Sequence, residues 1–282
     1  MMPSVLAAAA LLLVSSVEEG RVPSKDGVAI HYAVQGKGEP ALVLIHGFGI
    51  DSTYWDAVAG PLSAGRRVVV LDLAGHGRSG SDREAWTVPA FGADVVAVAD
   101  HLKLGRVILA GHSMGGQVML EAARLLPGRV AGLVPVDTLL DPDFRLPEPD
   151  LVAALAALRK DYAETARGFA EQYMYAESTP AEVRQRTLAD WLKMPPELAV
   201  AILEQAWRYD PRPAIADAKV PIVAVNADKY PTHVEAFRKY APGFDALLVR
   251  GVGHYPMLEA PAELVTRLEE AMARVEAAAA HR

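Results

Sequence analysis

The sequence contains no cysteine, and this absence excludes several kinds of chemistry. Without a thiol the chain forms no disulfide, offers no thiolate nucleophile and supplies no cysteine ligand to a metal. Histidine, aspartate and glutamate do not occur in the H-E-x-x-H spacing or in any similar arrangement of ligands. We therefore expect no metal.

Basic residues are too few to suggest a nucleic acid partner. The chain has 28 Lys and Arg against 35 Asp and Glu, with a formal net charge of -7, and no basic cluster stands out. Proteins that bind nucleic acids usually present a basic face to the phosphates. The expected partners are a small-molecule substrate and water.

Long apolar runs are also missing. The apolar run at residues 5–14 is too short to span a bilayer, although its length suits the core of a signal peptide. No Lys or Arg precedes this run, and no clean A-x-A cleavage site lies before Glu18. Two interpretations of residues 1–19 stay open, a signal peptide or an N-terminal helix, and with them an exported or a cytoplasmic location.

What the chain does contain is a regular alternation of apolar runs and helical segments. With 282 residues, 51% of them hydrophobic, it can form one large α/β domain with an insertion. The predicted strands are residues 28–34, 41–45, 67–71, 107–110, 132–136, 222–225 and 246–249. The predicted helices between and after them are residues 54–62, 88–102, 113–126 and 261 to about 277. Continuous apolar runs, without alternating polar residues, are typical of strands that are buried on both faces. We therefore predict a doubly wound, mostly parallel sheet in residues 20–138 and 214–282.

Residues 139–213 break this alternation. They show no strand signal, and helical periodicity appears at residues 151–158, 162–173, 182–192 and 197–207. A helical block between two sheet strands would lie over the carboxyl ends of the strands, so we interpret it as a helical lid. A helical bundle without a gating function is the alternative.

The segment Gly111-His112-Ser113-Met114-Gly115 has the G-x-S-x-G pattern of a nucleophile elbow. It follows a predicted strand and opens a predicted helix, the context in which that pattern presents a reactive serine. The turn is strained and crowded, so the positions around it must lack side chains, as Gly111 and Gly115 do. Ser113 is therefore the predicted nucleophile, whereas its neighbour His112 is expected to pack beside it.

A serine hydroxyl needs a base, and a developing oxyanion needs two donors. His254 follows the last predicted strand on a glycine-rich loop that can carry its imidazole back to the elbow. The backbone N–H of Met114 is one predicted donor, and the N–H of Phe48, in the loop after strand 41–45, is the other. His46 in the same loop is expected to brace it.

These segments together resemble the α/β-hydrolase fold superfamily, and more closely its lidded, serine esterase-like members. The resemblance covers roughly residues 22–276, with residues 139–213 the least similar part. It rests on four segments in this order: His46-Gly47-Phe48-Gly49, Asp72-Leu73-Ala74-Gly75-His76-Gly77-Arg78-Ser79-Gly80, Gly111-His112-Ser113-Met114-Gly115-Gly116 and Gly251-Val252-Gly253-His254. It implies an α/β-hydrolase fold with an eight-stranded sheet, acyl-enzyme chemistry and activity without a cofactor.

The acid of the triad departs from the usual pattern of the superfamily. In most relatives it lies in a G-x-x-D segment after the strand that corresponds to residues 222–225, but here Tyr230 occupies that position and Asp228 lies two residues earlier. Part of the superfamily places the acid at the end of the strand after the elbow helix, which corresponds to Asp137. We favour Asp137, with Asp228 as the alternative.

The predicted reaction is hydrolysis of a small, partly apolar carboxylic ester. Ser113 attacks the carbonyl, His254 takes the proton, and the aspartate orients His254. A serine nucleophile argues against dehalogenases and epoxide hydrolases, which use aspartate. Two alternatives stay open. The same triad can serve C–C bond hydrolysis or cofactor-free peroxidation, or the chain is a small-molecule receptor on a hydrolase scaffold.

Overall fold

A computed structural model describes residues 17–280 of the chain. The apolar run at residues 5–14, on which the signal-peptide interpretation depends, lies outside the described residues. Within residues 17–280, no helix is long and apolar enough to span a bilayer.

The described residues form one sheet of eight strands, in the order β1-β2-β4-β3-β5-β6-β7-β8. The strands are β1 Glu18–Pro23, β2 Ala29–Gln35, β3 Ala41–Ile45, β4 Val68–Leu71, β5 Val107–His112, β6 Val130–Val136, β7 Val223–Ala227 and β8 Asp245–Val249. β2 pairs antiparallel with β1 and with β4, and all other neighbours are parallel. The predicted doubly wound, mostly parallel sheet is confirmed.

Burial explains why the central strands could be read from the sequence. Every residue of β3 and of β5 is buried, because helices cover both faces of the sheet there. β1 behaves differently: most of its residues are exposed, and it forms a hairpin with β2 at the edge of the sheet. Glu18 and Glu19, which the sequence analysis placed in the N-terminal segment, are the first two residues of β1.

The helices occupy both sides of the sheet. In residues 17–280 they are α1 Asp56–Leu62, α2 Val88–His101, α3 Met114–Leu125, α4 Glu148–Lys160, α5 Tyr162–Phe169, α6 Ala181–Lys193, α7 Pro196–Arg208, α8 Pro211–Ala218, α9 Val234–Arg238, α10 Pro256–Glu259 and α11 Pro261–Ala280. A 3₁₀ turn, Ser52–Trp55, precedes α1, and a π-helical turn, Ala170–Met174, follows α5. α2 and α8 pack against α3, and α1 packs against α11.

The helices α4 to α7, with their connections, lie between β6 and α8, and we call this segment the helical insertion. It contacts the loops at the carboxyl ends of the strands. The Trp191 ring packs edge-on against Phe48 after β3, and the carbonyl of Met174 accepts from the N–H of His254 after β8. The predicted boundary between residues 213 and 214 falls inside α8, and the division into domains stays a prediction.

Candidate active site

Ser113 lies on a strained turn between β5 and α3. Its backbone has φ 53° and ψ -121°, a region that residues with a side chain rarely adopt. Its N–H donates to the carbonyl of Val136, and its own carbonyl accepts from the N–H of Gly116. These bonds fix the turn while the serine stays partly exposed.

The glycines around this turn are required by close backbone contacts. A Cβ on Gly111 would lie 2.1 Å from the carbonyl oxygen of Gly115. A Cβ on Gly115 would lie 2.5 Å from the carbonyl oxygen of His46, and one on Gly47 would lie 3.0 Å from the Cβ of Ser113. The loop after β3 therefore passes directly beside the predicted nucleophile.

His254 and Asp137 meet at the carboxyl edge of the sheet. The Nδ1 of His254 donates to the Oδ2 of Asp137 at 2.5 Å, because a carboxylate can only accept. His254 lies in the loop after β8, whereas Asp137 directly follows the last residue of β6, has a φ of 43° and is buried. In the neutral form of the imidazole, this bond places the proton on Nδ1 and leaves Nε2 as an acceptor.

The surroundings of Asp137 keep its carboxyl charged. Burial alone would raise the pKa of Asp137, but the hydrogen bond from His254 and the N–H of Ala227, which donates to Oδ1 at 2.9 Å, outweigh it. The pKa of Asp137 is consequently lower than its ordinary value. An ionised carboxylate can orient an imidazole and stabilise its cation.

The alternative acid, Asp228, is not brought to His254. It is exposed, and its Oδ1 accepts from the N–H of Gly251 at 2.8 Å. Its carboxylate therefore binds the backbone of the loop after β8 at the protein surface. Tyr230, which occupies the usual acid position, is 40% exposed and its hydroxyl donates to the carbonyl of Tyr173 in the helical insertion.

The two predicted oxyanion donors flank the elbow. Met114 is the first residue of α3, and the first amides of a helix have no partner inside it. Within residues 17–280, the N–H of Phe48 has no protein acceptor. His46 holds the loop of Phe48 in place, because its Nδ1 donates to the carbonyl of Gly47 and its Nε2 accepts from the N–H of Leu73.

A cavity of about 50 Å³ lies between Phe48 and the helical insertion. Its lining is almost wholly apolar and includes Phe48, Leu158, Phe169, Trp191, Leu203 and Trp207. Phe48 thus lines this cavity, and its N–H is one of the two predicted oxyanion donors. The cavity can hold an apolar group, but it has almost no polar groups that could stabilise a charged one.

A model of the alpha/beta hydrolase family matches residues 42–267. That match contains the turn of Ser113, the loops of Phe48 and His254, and the strands β3 to β8 except for Ala41, the first residue of β3. The chain belongs to the alpha/beta hydrolase family.

Three relatives show how far this alpha/beta hydrolase resembles known proteins. A thermophilic esterase from Thermogutta terrifontis has a TM-score of 0.78 and 26% identity, over 92% of this chain and 99% of that chain. A strigolactone esterase of Arabidopsis thaliana is 26% identical over 87% of this chain and 97% of its own length. The dihydrolipoyllysine-residue acetyltransferase component of an acetoin cleaving system in Pseudomonas putida is 44% identical, but over only 36% of this chain and 28% of that protein.

The loop of His254 in this hydrolase has partners that the sequence analysis did not identify. Glu259 accepts from the N–H groups of Gly253 and Tyr255, on either side of the histidine, and from the hydroxyl of Thr179. Contacts to backbone amides impose no residue type on the amide side, so neither motifs nor periodicity point to them. The only feature of the sequence that could have indicated these contacts is the short separation, five residues, between His254 and Glu259.

His112 also contacts His254, the predicted base. Its Nε2 donates to the carbonyl of His254 at 2.7 Å, and the centroids of the two rings are 4.7 Å apart. Burial, with the neighbouring His254, lowers the pKa of His112 to about 3, so the ring is neutral. It lies beside Ser113, and its hydrogen bond joins the turn of Ser113 to the loop of His254.

Proposed function

We propose that this protein is a serine hydrolase that cleaves a small, partly apolar carboxylic ester through an acyl-enzyme. Ser113 is the nucleophile, His254 the base, and Asp137 the acid that orients the base. The observation that carries the proposal is the 2.5 Å hydrogen bond between His254 and Asp137, together with the strained turn of Ser113, whose N–H donates to the carbonyl of Val136, the residue before Asp137.

In the first step, Nε2 of His254 removes the proton from the hydroxyl of Ser113 as the oxygen attacks the ester carbonyl. The His254 cation that forms is stabilised by Asp137, which is already ionised in the resting enzyme. His254 then passes the proton to the leaving alcohol, and the serine keeps the acyl group.

The negative oxygen of the tetrahedral intermediate lies between the N–H groups of Phe48 and Met114. Each such donor contributes about 10²- to 10³-fold in rate, because it strengthens as the charge develops. In the second step, His254 takes a proton from water as the water oxygen attacks the acyl carbon. The bond from that carbon to Oγ of Ser113 then breaks, and His254 returns the proton to Oγ, which releases the acid and restores the Ser113 hydroxyl.

The helical insertion supports an apolar substrate. Its cavity, of about 50 Å³ and almost wholly apolar, has room for a small apolar group. We infer that this cavity takes the apolar acyl or alcohol group of the ester, and that the insertion is the lid over it. The relatives named as esterases agree with this reaction class.

The nucleophile is tested by labelling the purified protein with a fluorophosphonate probe and by assaying short-chain aryl esters. We expect the parent protein to be labelled and to turn over, and Ser113→Ala to lose both. Ser81→Ala, at an exposed serine outside the site, is the matched control and keeps both. Persistent labelling of Ser113→Ala contradicts the assignment.

A substrate panel separates the other reactions that the same groups could carry out. β-Diketones test C–C bond hydrolysis, and peracid formation from acetate and peroxide tests cofactor-free peroxidation. Slow turnover of every substrate together with ligand-dependent binding of a partner would indicate a receptor instead. We expect esters to have the highest kcat/KM of the panel.

A further inference from the structure

We propose that Glu259 and Thr179 are positioning residues that hold the loop of His254 in its reactive orientation. The inference rests on the proposed function, because it assigns a cause to the orientation of the base. It also assigns to the helical insertion, which supplies Thr179, a part in organising the triad.

Glu259 binds the backbone on both sides of the base. Its Oε2 accepts from the N–H of Gly253 at 2.8 Å, and its Oε1 accepts from the N–H of Tyr255 at 3.0 Å. The same carboxylate therefore fixes the residue before and the residue after His254. Glu259 ends the short helix α10, so its backbone is ordered by the element that follows the loop.

Thr179 connects this carboxylate to the helical insertion. Its hydroxyl donates to the Oε2 of Glu259 at 2.7 Å and accepts from the N–H of Ala176 at 2.9 Å. The side chain is buried, with 4% of its surface exposed. The bond is thus partly shielded from water, and a hydrogen bond to a carboxylate is stronger where less water competes for it.

The insertion also binds the base residue itself. The carbonyl of Met174 accepts from the N–H of His254 at 2.8 Å. Three consecutive amides, at residues 253, 254 and 255, are thus fixed by Glu259, by Met174 and again by Glu259. With its backbone held at three successive points, His254 has little freedom to turn its Cα–Cβ bond away from Ser113 and Asp137.

Gly253 allows the two segments to come this close. A Cβ there would lie 2.7 Å from the hydroxyl oxygen of Thr179 and 2.8 Å from both the N of Ala176 and the carbonyl oxygen of Met174. No side chain fits in that space. The insertion and the loop of His254 are consequently in direct backbone contact.

Four variants test the proposal by steady-state kinetics with an aryl ester. In Glu259→Gln an NH₂ group replaces one of the two acceptors, so we expect kcat to fall about 30-fold with KM within about twofold, since a small misplacement of a reacting group costs up to about 10²-fold. Thr179→Val removes the hydroxyl and lowers kcat about tenfold by the same reasoning. Thr179→Ser keeps the hydroxyl and restores kcat to within about twofold.

Glu121→Gln is the matched control. Glu121 is a carboxylate on α3 that is more buried than Glu259, and it likewise accepts from a hydroxyl of the insertion, that of Tyr209 at 2.6 Å. It has no contact with the loop of His254. We expect this variant to lower the thermal midpoint as much as the test variants do, with kcat unchanged.

A measurement that does not depend on turnover separates two outcomes: that Glu259 and Thr179 do not orient His254, or that the proposed function is wrong. The proton shared by His254 and Asp137 should give a low-field resonance in proton NMR, assigned by its loss in Asp137→Asn. We expect Glu259→Gln and Thr179→Val to broaden or lose this resonance, and Thr179→Ser and Glu121→Gln to keep it. If the parent protein neither hydrolyses esters nor reacts with a fluorophosphonate, the proposed function fails. The resonance still tests whether Glu259 and Thr179 hold His254 against Asp137.

The proposal is overturned if Glu259→Gln and Thr179→Val keep the low-field resonance. In an active protein it is equally overturned if both keep kcat within about threefold while their thermal midpoints fall as in Glu121→Gln. Either result would mean that Glu259 and Thr179 stabilise the fold without orienting the base.

Discussion

At the scale of single residues, two aspartates at the ends of neighbouring strands differ in what surrounds them. Asp137 is buried and accepts from His254 and from the N–H of Ala227. Asp228 is exposed and accepts from the N–H of Gly251. The first carboxylate faces the imidazole, whereas the second holds a turn of the backbone.

We expect Asp137→Asn and Asp228→Asn to have very different effects on ester hydrolysis. Asparagine at 137 offers an NH₂ group where His254 needs an acceptor, which favours the wrong tautomer, so kcat should fall about 10³- to 10⁴-fold. Asp228→Asn keeps a carbonyl oxygen for Gly251 and should stay within about threefold. Steady-state kinetics with circular dichroism as a check on folding measures both, and the reverse order of losses contradicts the assignment.

The sequence could not decide between these two aspartates, and the reason is physical. Both follow strands whose carboxyl ends meet at one edge of the sheet, so strand prediction places both near the base. The choice depends on the direction of the side chain at a single residue. Asp137 has a φ of 43°, and a local backbone conformation of that kind leaves no trace in hydrophobic patterns.

At the scale of secondary structure elements, the elbow depends on how closely β3, β5 and α3 approach each other. A Cβ on Gly115 would lie 2.5 Å from the carbonyl oxygen of His46 and 2.6 Å from that of Ile45. Backbone atoms of a central strand cannot move away as a flexible side chain would. Residue 115 therefore sets the spacing between the turn of Ser113 and the segment that leads into the loop of Phe48.

We expect Gly115→Ala to lower the free energy of unfolding by about 1–3 kcal/mol, the usual cost of overpacking, and to reduce kcat as well. Gly168→Ala is the control, since Gly168 also lies in a helix but a Cβ there would meet nothing within 4 Å. That variant should be neutral or more stable by about 0.4–1 kcal/mol. Urea denaturation measures both, and equal stabilities would contradict the close approach at residue 115.

Two alanines of helix α4, one that lines the apolar cavity and one that is exposed, allow a test of whether the cavity binds part of the substrate. Ala154 lines the cavity, whereas Ala156 on the same helix is exposed. Ala154→Phe should lower kcat/KM for a four-carbon acyl or alcohol group about tenfold or more and spare acetate and methanol esters, since a methylene in an apolar pocket is worth about 10- to 200-fold. Ala156→Phe should leave the chain-length preference unchanged. A uniform loss over all chain lengths would indicate that the cavity takes no part of the substrate.

The elements themselves were predictable where burial makes a continuous apolar pattern. β3 and β5 are buried at every residue, and their apolar runs predicted them. β1, with the sequence EEGRVP, was not predicted, because most of its residues face solvent at the sheet edge and carry no apolar signal. The bond from Thr179 to Glu259 joins residues 80 positions apart, and only the fold brings them together.

At the scale of the whole molecule, buried histidines around the site should make stability depend on pH. Burial lowers the pKa of His76 to about 3 and that of His112 to about 3. Each ring donates one N–H to a backbone carbonyl, His76 to Ala74 and His112 to His254. In the unfolded chain both rings regain the ordinary pKa of about 6.5.

The sign of the effect follows from proton uptake. Below about pH 6.5 the unfolded chain binds protons that the folded rings do not, so acid favours unfolding. The contribution of these rings to stability is complete above pH 6.5 and declines as the pH falls toward 3. From pH 6 to pH 5 we expect His76 and His112 to lower the free energy of unfolding by about 2–3 kcal/mol, given about 1.4 kcal/mol per proton and pH unit.

His76→Gln should remove about half of this decline, because glutamine can donate to the carbonyl of Ala74 without titrating. His233→Gln, at an exposed histidine, should leave the decline as it is in the parent protein. Urea denaturation at pH 7, 6 and 5 measures all three proteins under the same conditions. If the stability of the parent protein stays level from pH 7 to pH 5, these rings are protonated in the folded state. In that case His112 is not a neutral donor between the turn of Ser113 and the loop of His254.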